Sequence, residues 1–319
     1  MQNVWSITGR SIAVSALALA LTACQSMRSP EPVAQADIPS SYTNASGTSV
    51  AEQGYKNFFA DQRLLQVLDL ALNNNRDLRI AALNIQRAQQ QYQITENNQL
   101  PTIGASGSVL RQDTMNSQNR GAVTTYNVGL GVTAYELDFW GRVRSLRDNA
   151  LDSFLATQSA RDATQIALIG QVSQAWLSYS FANANLALAE QTLKAQLESF
   201  NLNKKRFDVG IDSELPVRQA QISVETARND VANYRTQVAQ AQNLLNLLVG
   251  QQVPANLLPA QRVTRITSNT ALGSGLPSDL LINRPDVRAA EYRLSAAGAN
   301  IAAARARLFP TISLTGSAG

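Results

Sequence analysis

Apolar and small residues recur in alternating steps of three and four along residues 217–248, without a slip. This heptad pattern predicts a long helix whose apolar seam packs against another helix in a left-handed supercoil. Alanine fills most of one seam position, and its small side chain permits close approach of the helices. The seam residues are Val217, Ala220, Val224, Ala227, Val231, Tyr234, Val238, Ala241, Leu245 and Leu248.

A second long helix is predicted upstream, over residues 144–207. This segment contains no proline and only one glycine, Gly170, and its apolar residues, which include Trp176 and Tyr179, keep helical spacing. About 60 helical residues at 1.5 Å each span roughly 90 Å, a length that no ordinary globular core contains. We expect Trp176 and Tyr179 to pack between helices rather than to contact a ligand.

The sequence RFDVGIDSELPVRQA connects the two helices and carries the signals of a tight turn. Gly210 suits the C-cap of the first helix, and Asp212 or Ser213 suits the N-cap of the second. Pro216 falls within the first turn, where its missing N–H costs little. Residues 144–250 are therefore predicted to form a helical hairpin.

A helix-then-strand pattern occurs twice, 209 residues apart. QLPTIGASG begins at Gln99 and LFPTISLTG begins at Leu308, and the match extends upstream without a gap. It predicts an upper helix ending the helical segment 62–99, another over 285–307, and a strand over 310–319. An aspartate lies in the first turn of each upper helix, where its negative charge interacts favourably with the helix dipole. The matched positions include Leu72 and Leu281, Asn74 and Asn283, Asp77 and Asp286, and Arg79 and Arg288.

The segment 101–139 is rich in Gly, Ser, Thr and β-branched residues and predicts a strand pair. Apolar residues fall mostly at every second position from Tyr126 to Ala134, and DTMNSQNRGA is predicted to be a polar loop between the strands. Each strand has the length of a tilted transmembrane strand, about 9–11 residues. The same alternation also suits a soluble sheet, so the pattern alone leaves both readings open.

The chain begins with the features of an export signal. A basic residue, Arg10, is followed by an apolar run too short to span a bilayer, and Leu-Thr-Ala-Cys ends it at Cys24. This ending resembles a bacterial lipobox and predicts a signal peptide over 1–23 and lipidation of Cys24; the alternative is a free thiol. Gln25 favours sorting to the outer membrane. Residues 24–60 have no sustained period and are predicted to be a lipidated, extended tether.

Composition argues against most enzyme and nucleic-acid functions. The chain contains no histidine and one cysteine, which removes the commonest general base and metal ligand as well as any intrachain disulfide. The net charge of +4 is small for 319 residues, and the basic residues are scattered, so no nucleic-acid surface is predicted. We therefore predict a non-enzymatic protein without a cofactor or metal, apart from the lipid on Cys24.

Several motifs together resemble outer-membrane efflux proteins of the TolC type, in the lipoprotein branch that serves resistance-nodulation-division pumps. They are the lipobox, LALNNNRDLRIAALNIQRAQQQY, QLPTIGASG, YELDFWGRVR, RFDVGIDSELPVRQAQ and LINRPDVRAAEYRLSAAGANIAAARARLFPTISLTG, in family order. The resemblance implies a mixed α and β fold with a two-fold repeat. Long coiled-coil hairpins form a periplasmic α-barrel, and the strands form a transmembrane β-barrel.

The resemblance also implies the assembly and its transport role. A lipid-anchored homotrimer in the outer membrane would export drugs or metal ions, docked on a periplasmic adaptor that is joined to an inner-membrane pump. The first repeat would cover 61–250, and residues 251–319 would hold an equatorial segment and the start of a second repeat. The family carries a further strand pair, hairpin and gate after LFPTISLTG, so this chain is expected to be part of a longer protein.

The adaptor would dock on the hairpin tip, where the resemblance assigns a set of contact residues. Gly210 would set the turn and Leu215 would offer an apolar contact. A periplasmic coiled-coil lipoprotein with a structural or adaptor role is the alternative, although adaptors add a lipoyl-like domain that has no counterpart here. The docking residues are Arg206, Gly210, Ser213, Leu215 and Pro216.

Overall fold

A computed structural model describes residues 54–116, 119–259, 263, 266–267 and 283–319. The predicted mixture of long helices and strands is confirmed. In the described residues the elements are α1 (Tyr55–Phe58), α2 (Gln62–Asn74), α3 (Arg76–Asn97), β1 (Ile103–Asn116), β2 (Asn119–Glu136), α4 (Arg142–Asp208), α5 (Glu214–Val249), a 3-10 turn (Ala255–Leu257), α6 (Pro285–Ala306) and β3 (Ser313–Ala318).

The chain divides into two compact units, and α4 contributes residues to both. The strand unit contains Asn84–Ser159 and Asp286–Gly319, which include the three strands. The described part of the hairpin unit contains residues 54–83 and residues of Ala160–Pro285, including all of α5. Cys24 and the segment predicted as a signal peptide lie outside the described residues.

In the strand unit the three strands form one antiparallel sheet in the order β1-β2-β3. The ladder between β1 and β2 runs from Ile103 opposite Val132 to Asn116 opposite Asn119. The strands therefore continue into the segment predicted as a polar loop, because backbone pairing does not require apolar side chains. A bulge interrupts the pairing with β3 between Val132 and Tyr135, with Ala134 at a positive φ of 52°.

The third strand is shorter than predicted, since it begins at Ser313 rather than at residue 310. Pro310 has no N–H to donate, so it cannot extend the ladder at the first predicted position. Its carbonyl instead accepts a hydrogen bond of 3.0 Å from Nε1 of Trp140. The Trp140 ring also stacks on Phe309, with ring centroids 4.5 Å apart.

Helix α6 packs in the strand unit through small residues. Its buried positions are all alanine, which allows the backbones of neighbouring helices to approach closely. Asn149 of α4 donates to the Ala296 carbonyl at 2.8 Å, and Ser295 donates to Asp152 at 2.6 Å. The buried residues of α6 are Ala289, Ala296, Ala299, Ala302, Ala303 and Ala306.

The apolar core of the hairpin unit lies where α2 meets parts of α4 and α5. Trp176 of α4 is fully buried there, and its Nε1 donates to the Leu257 carbonyl at 3.1 Å. This confirms the predicted packing role of Trp176. Other buried members of the core are Phe59, Leu64, Val67, Leu68, Ala71, Leu78, Leu168, Val172, Ala175, Leu245, Val249, Val253 and Leu257.

The prediction of an extended tether through residue 60 is wrong for its last residues. Tyr55–Phe58 form α1, and Phe59 is buried and forms an isolated antiparallel bridge with Thr267. Aromatic side chains cause this ordering, because burying them against the core removes a large apolar area from water. The Tyr55 hydroxyl donates to Asp69 at 2.7 Å, and burial together with this bond raises the pKa of Tyr55 to about 12.

Asn75 joins the end of one helix to the start of another in the hairpin unit. Its Oδ1 accepts from the Leu78 N–H at 2.8 Å, which caps α3, and its Nδ2 donates to the Leu248 carbonyl of α5 at 2.7 Å. Asn75 is buried, so both hydrogen bonds are shielded from water. Gly250, which ends α5 with a φ of 82°, lies against the Asn74 carbonyl.

Candidate functional site

The sheet of the strand unit presents two chemically different faces. Residues directly opposite in an antiparallel ladder share a face, so the register assigns each side chain to one side. The apolar face contains Ile103, Ala105, Gly107 and Val109 of β1, Tyr126, Val128, Leu130, Val132 and Tyr135 of β2, and Leu314, Gly316 and Ala318 of β3.

The polar face contains mostly small and hydroxyl-bearing residues, and its charged member, Glu136, lies opposite Ser313 where β2 leads into α4. Two apolar residues, Leu110 and Val123, interrupt it near the end of the sheet where β1 and β2 connect. Its other members are Gly104, Ser106, Ser108, Gln112, Thr125, Asn127, Gly129, Gly131 and Ser317.

The apolar face is exposed rather than packed on a core. Val128 is 80% exposed, Tyr126 74% and Ile103 72%, so no described residue covers them. An antiparallel sheet in water ordinarily buries its apolar face. An exposed apolar face opposite a polar one is the pattern of strands that separate lipid from water.

A charged corner fixes the passage from β2 into α4. The Asp138 carboxylate accepts from the backbone N–H groups of Val143 at 3.0 Å and Arg144 at 2.9 Å, which caps α4. Arg142 forms an ion pair with Glu136 and donates hydrogen bonds to its carboxylate, and these bonds raise the pKa of Arg142. The sequence YELDFWGRVR therefore encodes a strand-to-helix corner in which Asp138 is the capping residue.

The hairpin tip ends α4 in a specific hydrogen-bonded turn. Gly210 adopts a φ of 77°, its N–H donates to the Phe207 carbonyl, and the Ile211 N–H donates to the Arg206 carbonyl, both at 2.9 Å. These two bonds define a Schellman motif, which satisfies the last carbonyls of α4 and reverses the chain. Gly210 occupies the position for which it was predicted, where a left-handed backbone favours glycine.

The predicted docking residues lie together at this turn. Arg206 pairs with Asp212 at 3.1 Å, which links the end of α4 to the connection. Ser213 is the N-cap residue of α5, but its side chain makes no capping hydrogen bond. Pro216 lies in the first turn of α5, and Leu215 is 64% exposed.

Apolar residues around the turn add a surface that the sequence interpretation did not assign. Val209 and Ile211, which flank Gly210, are 70% and 69% exposed, and Phe207 is also exposed. In the sequence, the signal for this surface is one β-branched residue on each side of the turn glycine. Together with Leu215 they form the tip patch, defined as Phe207, Val209, Ile211 and Leu215.

The described residues also lack the features of two other kinds of site. No helix among them is long and apolar enough to cross a membrane. Within the same ranges, no three His, Cys, Asp or Glu side chains group as metal ligands would.

Comparison with known proteins identifies relatives along most of the chain. The outer membrane efflux protein family matches residues 67–251 and 276–319. The probable efflux pump outer membrane protein TtgC of Pseudomonas putida KT2440 is 42% identical over 286 residues, covering 87% of this chain and 58% of the relative. Outer membrane protein OprJ of Pseudomonas aeruginosa is 40% identical over 316 residues, covering 96% and 66%.

Solved structures show the same fold. The open state of the MtrE outer membrane channel of Neisseria gonorrhoeae superposes with a TM-score of 0.80 at 36% identity, covering 92% of this chain and 66% of that one. A CusC structure superposes at 0.77 with 33% identity, covering 90% and 65%. The chain thus spans between 58% and 66% of these relatives. It belongs to the outer membrane efflux protein family.

Proposed function

We propose that this chain contributes to the outer-membrane channel of a tripartite efflux pump, through which drugs or metal ions leave the periplasm. The observation that carries the proposal is the exposed two-faced sheet. Its apolar face fits the hydrocarbon of a bilayer, and its polar face fits a water-filled lumen. Family membership supports the same function, because relatives are described as efflux pump outer membrane proteins.

The sheet also supports a proposed oligomer. Backbone groups at a free strand edge have no partner in lipid, so a sheet within a membrane must close on itself. Three strands are too few to close a barrel around a lumen, since membrane barrels have eight strands or more. Strands from several copies, arranged as a homotrimer, would supply the remainder.

For the cargo, organic compounds are favoured over metal ions. Relatives include proteins described as antibiotic and toluene efflux pump outer membrane proteins in Pseudomonas putida. The polar face carries one charged residue among its described side chains, Glu136, whose carboxylate is paired with Arg142, so it offers no free carboxylate to bind a metal cation. It would instead let neutral and amphipathic molecules pass without strong binding.

The tip patch is the proposed contact with a periplasmic adaptor, which in turn would join an inner-membrane resistance-nodulation-division pump. Exposed apolar patches edged by charged residues often mark protein interfaces. Phe207, Val209, Ile211 and Leu215 form such a patch beside the ion pairs Arg206–Asp212 and Glu214–Arg218. Lipid on Cys24 would add an anchor to the outer membrane, with each buried methylene worth about 0.8 kcal/mol.

Two residues on opposite faces of β2 test the membrane function. We expect Leu130→Lys to destabilise insertion by about 2–4 kcal/mol, because Leu130 lies near the middle of the apolar face and the charge enters lipid, and to abolish resistance to efflux substrates. Asn127→Lys places the same charge on the polar face and should insert normally. The measurements are the amount of protein in the outer-membrane fraction and the minimum inhibitory concentration in a channel-deficient host. Equal insertion of both variants would contradict the proposed lipid face.

Two equally exposed leucines test docking at the tip. Leu215→Gln should reduce drug resistance and crosslinking to the adaptor several-fold, because it replaces an apolar contact by a polar side chain. Leu188→Gln is the control, since Leu188 is 63% exposed but lies about 20 residues before the turn in α4. Replacing Gly210 by a bulky polar residue should act in the same direction as Leu215→Gln. Unchanged resistance and crosslinking in the tip variants would contradict docking there.

A further inference from the structure

The apolar face of the sheet has a measurable height. It extends along β2 from Tyr126 to Tyr135, and the bulge next to Ala134 returns Tyr135 to the same face as Leu314. The bulge absorbs one of the nine residue steps, and the remaining eight span roughly 26 Å, which a strand tilt of about 40° reduces to roughly 20 Å. This height is comparable to the apolar band of about 25 Å found on outer-membrane barrels.

Tyrosines stand at both ends of this band. Tyr135 lies at the helical end, where β2 leads into α4, and its hydroxyl donates to the Gln99 carbonyl at 3.0 Å. Tyr126 lies towards the opposite end, where β1 and β2 connect, and is paired with Val109. Amphipathic tyrosine rings are enriched where hydrocarbon meets headgroups, so the two rings mark two interfaces.

Arg111 is the next residue beyond the band on the same face. It follows Val109 by two positions and lies opposite Thr124, so its side chain projects from the apolar face. Arg111 is exposed, and no ion pair or hydrogen bond joins its guanidinium to another described side chain. A cation at the edge of a lipid-facing surface keeps its charge in the interfacial layer, where anionic headgroups can pair with it.

The end of the sheet on which Arg111 lies determines which headgroups it meets. If the helices extend into the periplasm, the connection between β1 and β2 faces the exterior, and Arg111 lies at the outer leaflet. Lipid A, the glycolipid of that leaflet, carries phosphate groups. A guanidinium binds phosphate through paired, charge-assisted hydrogen bonds, and the hydroxyls of Thr124 and Tyr126 supply further donors on the same face.

We propose that Arg111, with Thr124 and Tyr126, forms a binding site for a lipid A phosphate at the outer edge of the apolar face. This inference rests on the proposed function, since it requires the sheet to lie in the outer membrane.

Lipid retention in three variants tests the site. The protein is extracted from outer membranes in mild detergent, and lipid A and glycerophospholipid per protomer are measured by mass spectrometry. Arg111→Gln should retain about tenfold less lipid A than the wild type, the loss expected for one pair of charge-assisted hydrogen bonds. Arg111→Lys keeps the positive charge but lacks the planar guanidinium, so the lipid A that it retains should lie between the amounts for the wild type and Arg111→Gln.

Arg307→Gln is the matched control. Arg307 is also exposed and precedes β3 at the helical end of the sheet, so its replacement should leave lipid A unchanged. Equal lipid A in the wild type and Arg111→Gln, or loss of glycerophospholipid alone, would overturn the inference while the channel function stands. Absence of the wild-type protein from the outer-membrane fraction would overturn both.

Discussion

Replacing Gly250 by alanine is expected to lower the free energy of unfolding of the hairpin unit by about 4 kcal/mol. Gly250 ends α5 with a φ of 82°, a conformation that costs an alanine about 1–2 kcal/mol. An added Cβ would also lie 2.4 Å from the Asn74 carbonyl oxygen and 2.9 Å from its carbon. Both atoms belong to the backbone, so no side chain can rotate away to relieve the overlap.

Gly210→Ala is the control that separates these two costs. Gly210 has a similar φ of 77°, but nothing lies within 4 Å of an added Cβ. We expect Gly210→Ala to cost about 1 kcal/mol, the conformational part alone. Denaturant midpoints followed by circular dichroism at 222 nm, with unchanged slopes, measure both values. Equal losses in the two variants would show that the contact with Asn74 contributes nothing.

The contact at Gly250 also shows where sequence reasoning ends. The heptad pattern over 217–248 and the glycine after it suffice to predict α5 and its end, because both signals are local. Nothing local predicts that this end lies against Asn74, or that Asn75 caps α3 while bonding the Leu248 carbonyl. The cap on α3 is local, but the contacts of Asn74 with Gly250 and of Asn75 with Leu248 join residues more than 170 positions apart, and only the packed structure brings them together.

The candidate site likewise combines features that the sequence predicts with features that only the structure shows. The alternation from Tyr126 to Ala134 predicts a sheet with unlike faces, since side chains in a strand alternate by geometry. It does not predict the bulge that returns Tyr135 to the apolar face, because a bulge depends on the partner strand. The tip turn was predictable from Gly210, whereas the apolar character of the tip needed the exposure of Val209 and Ile211.

Trp176→Ala is expected to lower the free energy of unfolding of the hairpin unit about as much as Gly250→Ala does. The indole is fully buried among residues of α2, α4 and α5, so its removal leaves a cavity that this close-packed core cannot fill. Large aromatic residues truncated to alanine in cores cost about 3–5 kcal/mol. The substitution also removes the donor to the Leu257 carbonyl, which would then be buried without a partner.

Trp176→Phe separates packing from hydrogen bonding at the same position. Phenylalanine keeps most of the apolar volume but has no N–H, so we expect a loss of about 1–3 kcal/mol, mainly from the unpaired Leu257 carbonyl. Phe181→Ala on the same helix is the surface control, since Phe181 is 67% exposed and should change the unfolding free energy of the isolated chain by about 0.5 kcal/mol or less. Thermal and denaturant unfolding of the three variants give this order. A loss as small for Trp176→Ala as for Phe181→Ala would mean that α2 is not held to α4 through Trp176, and that the core forms without this side chain.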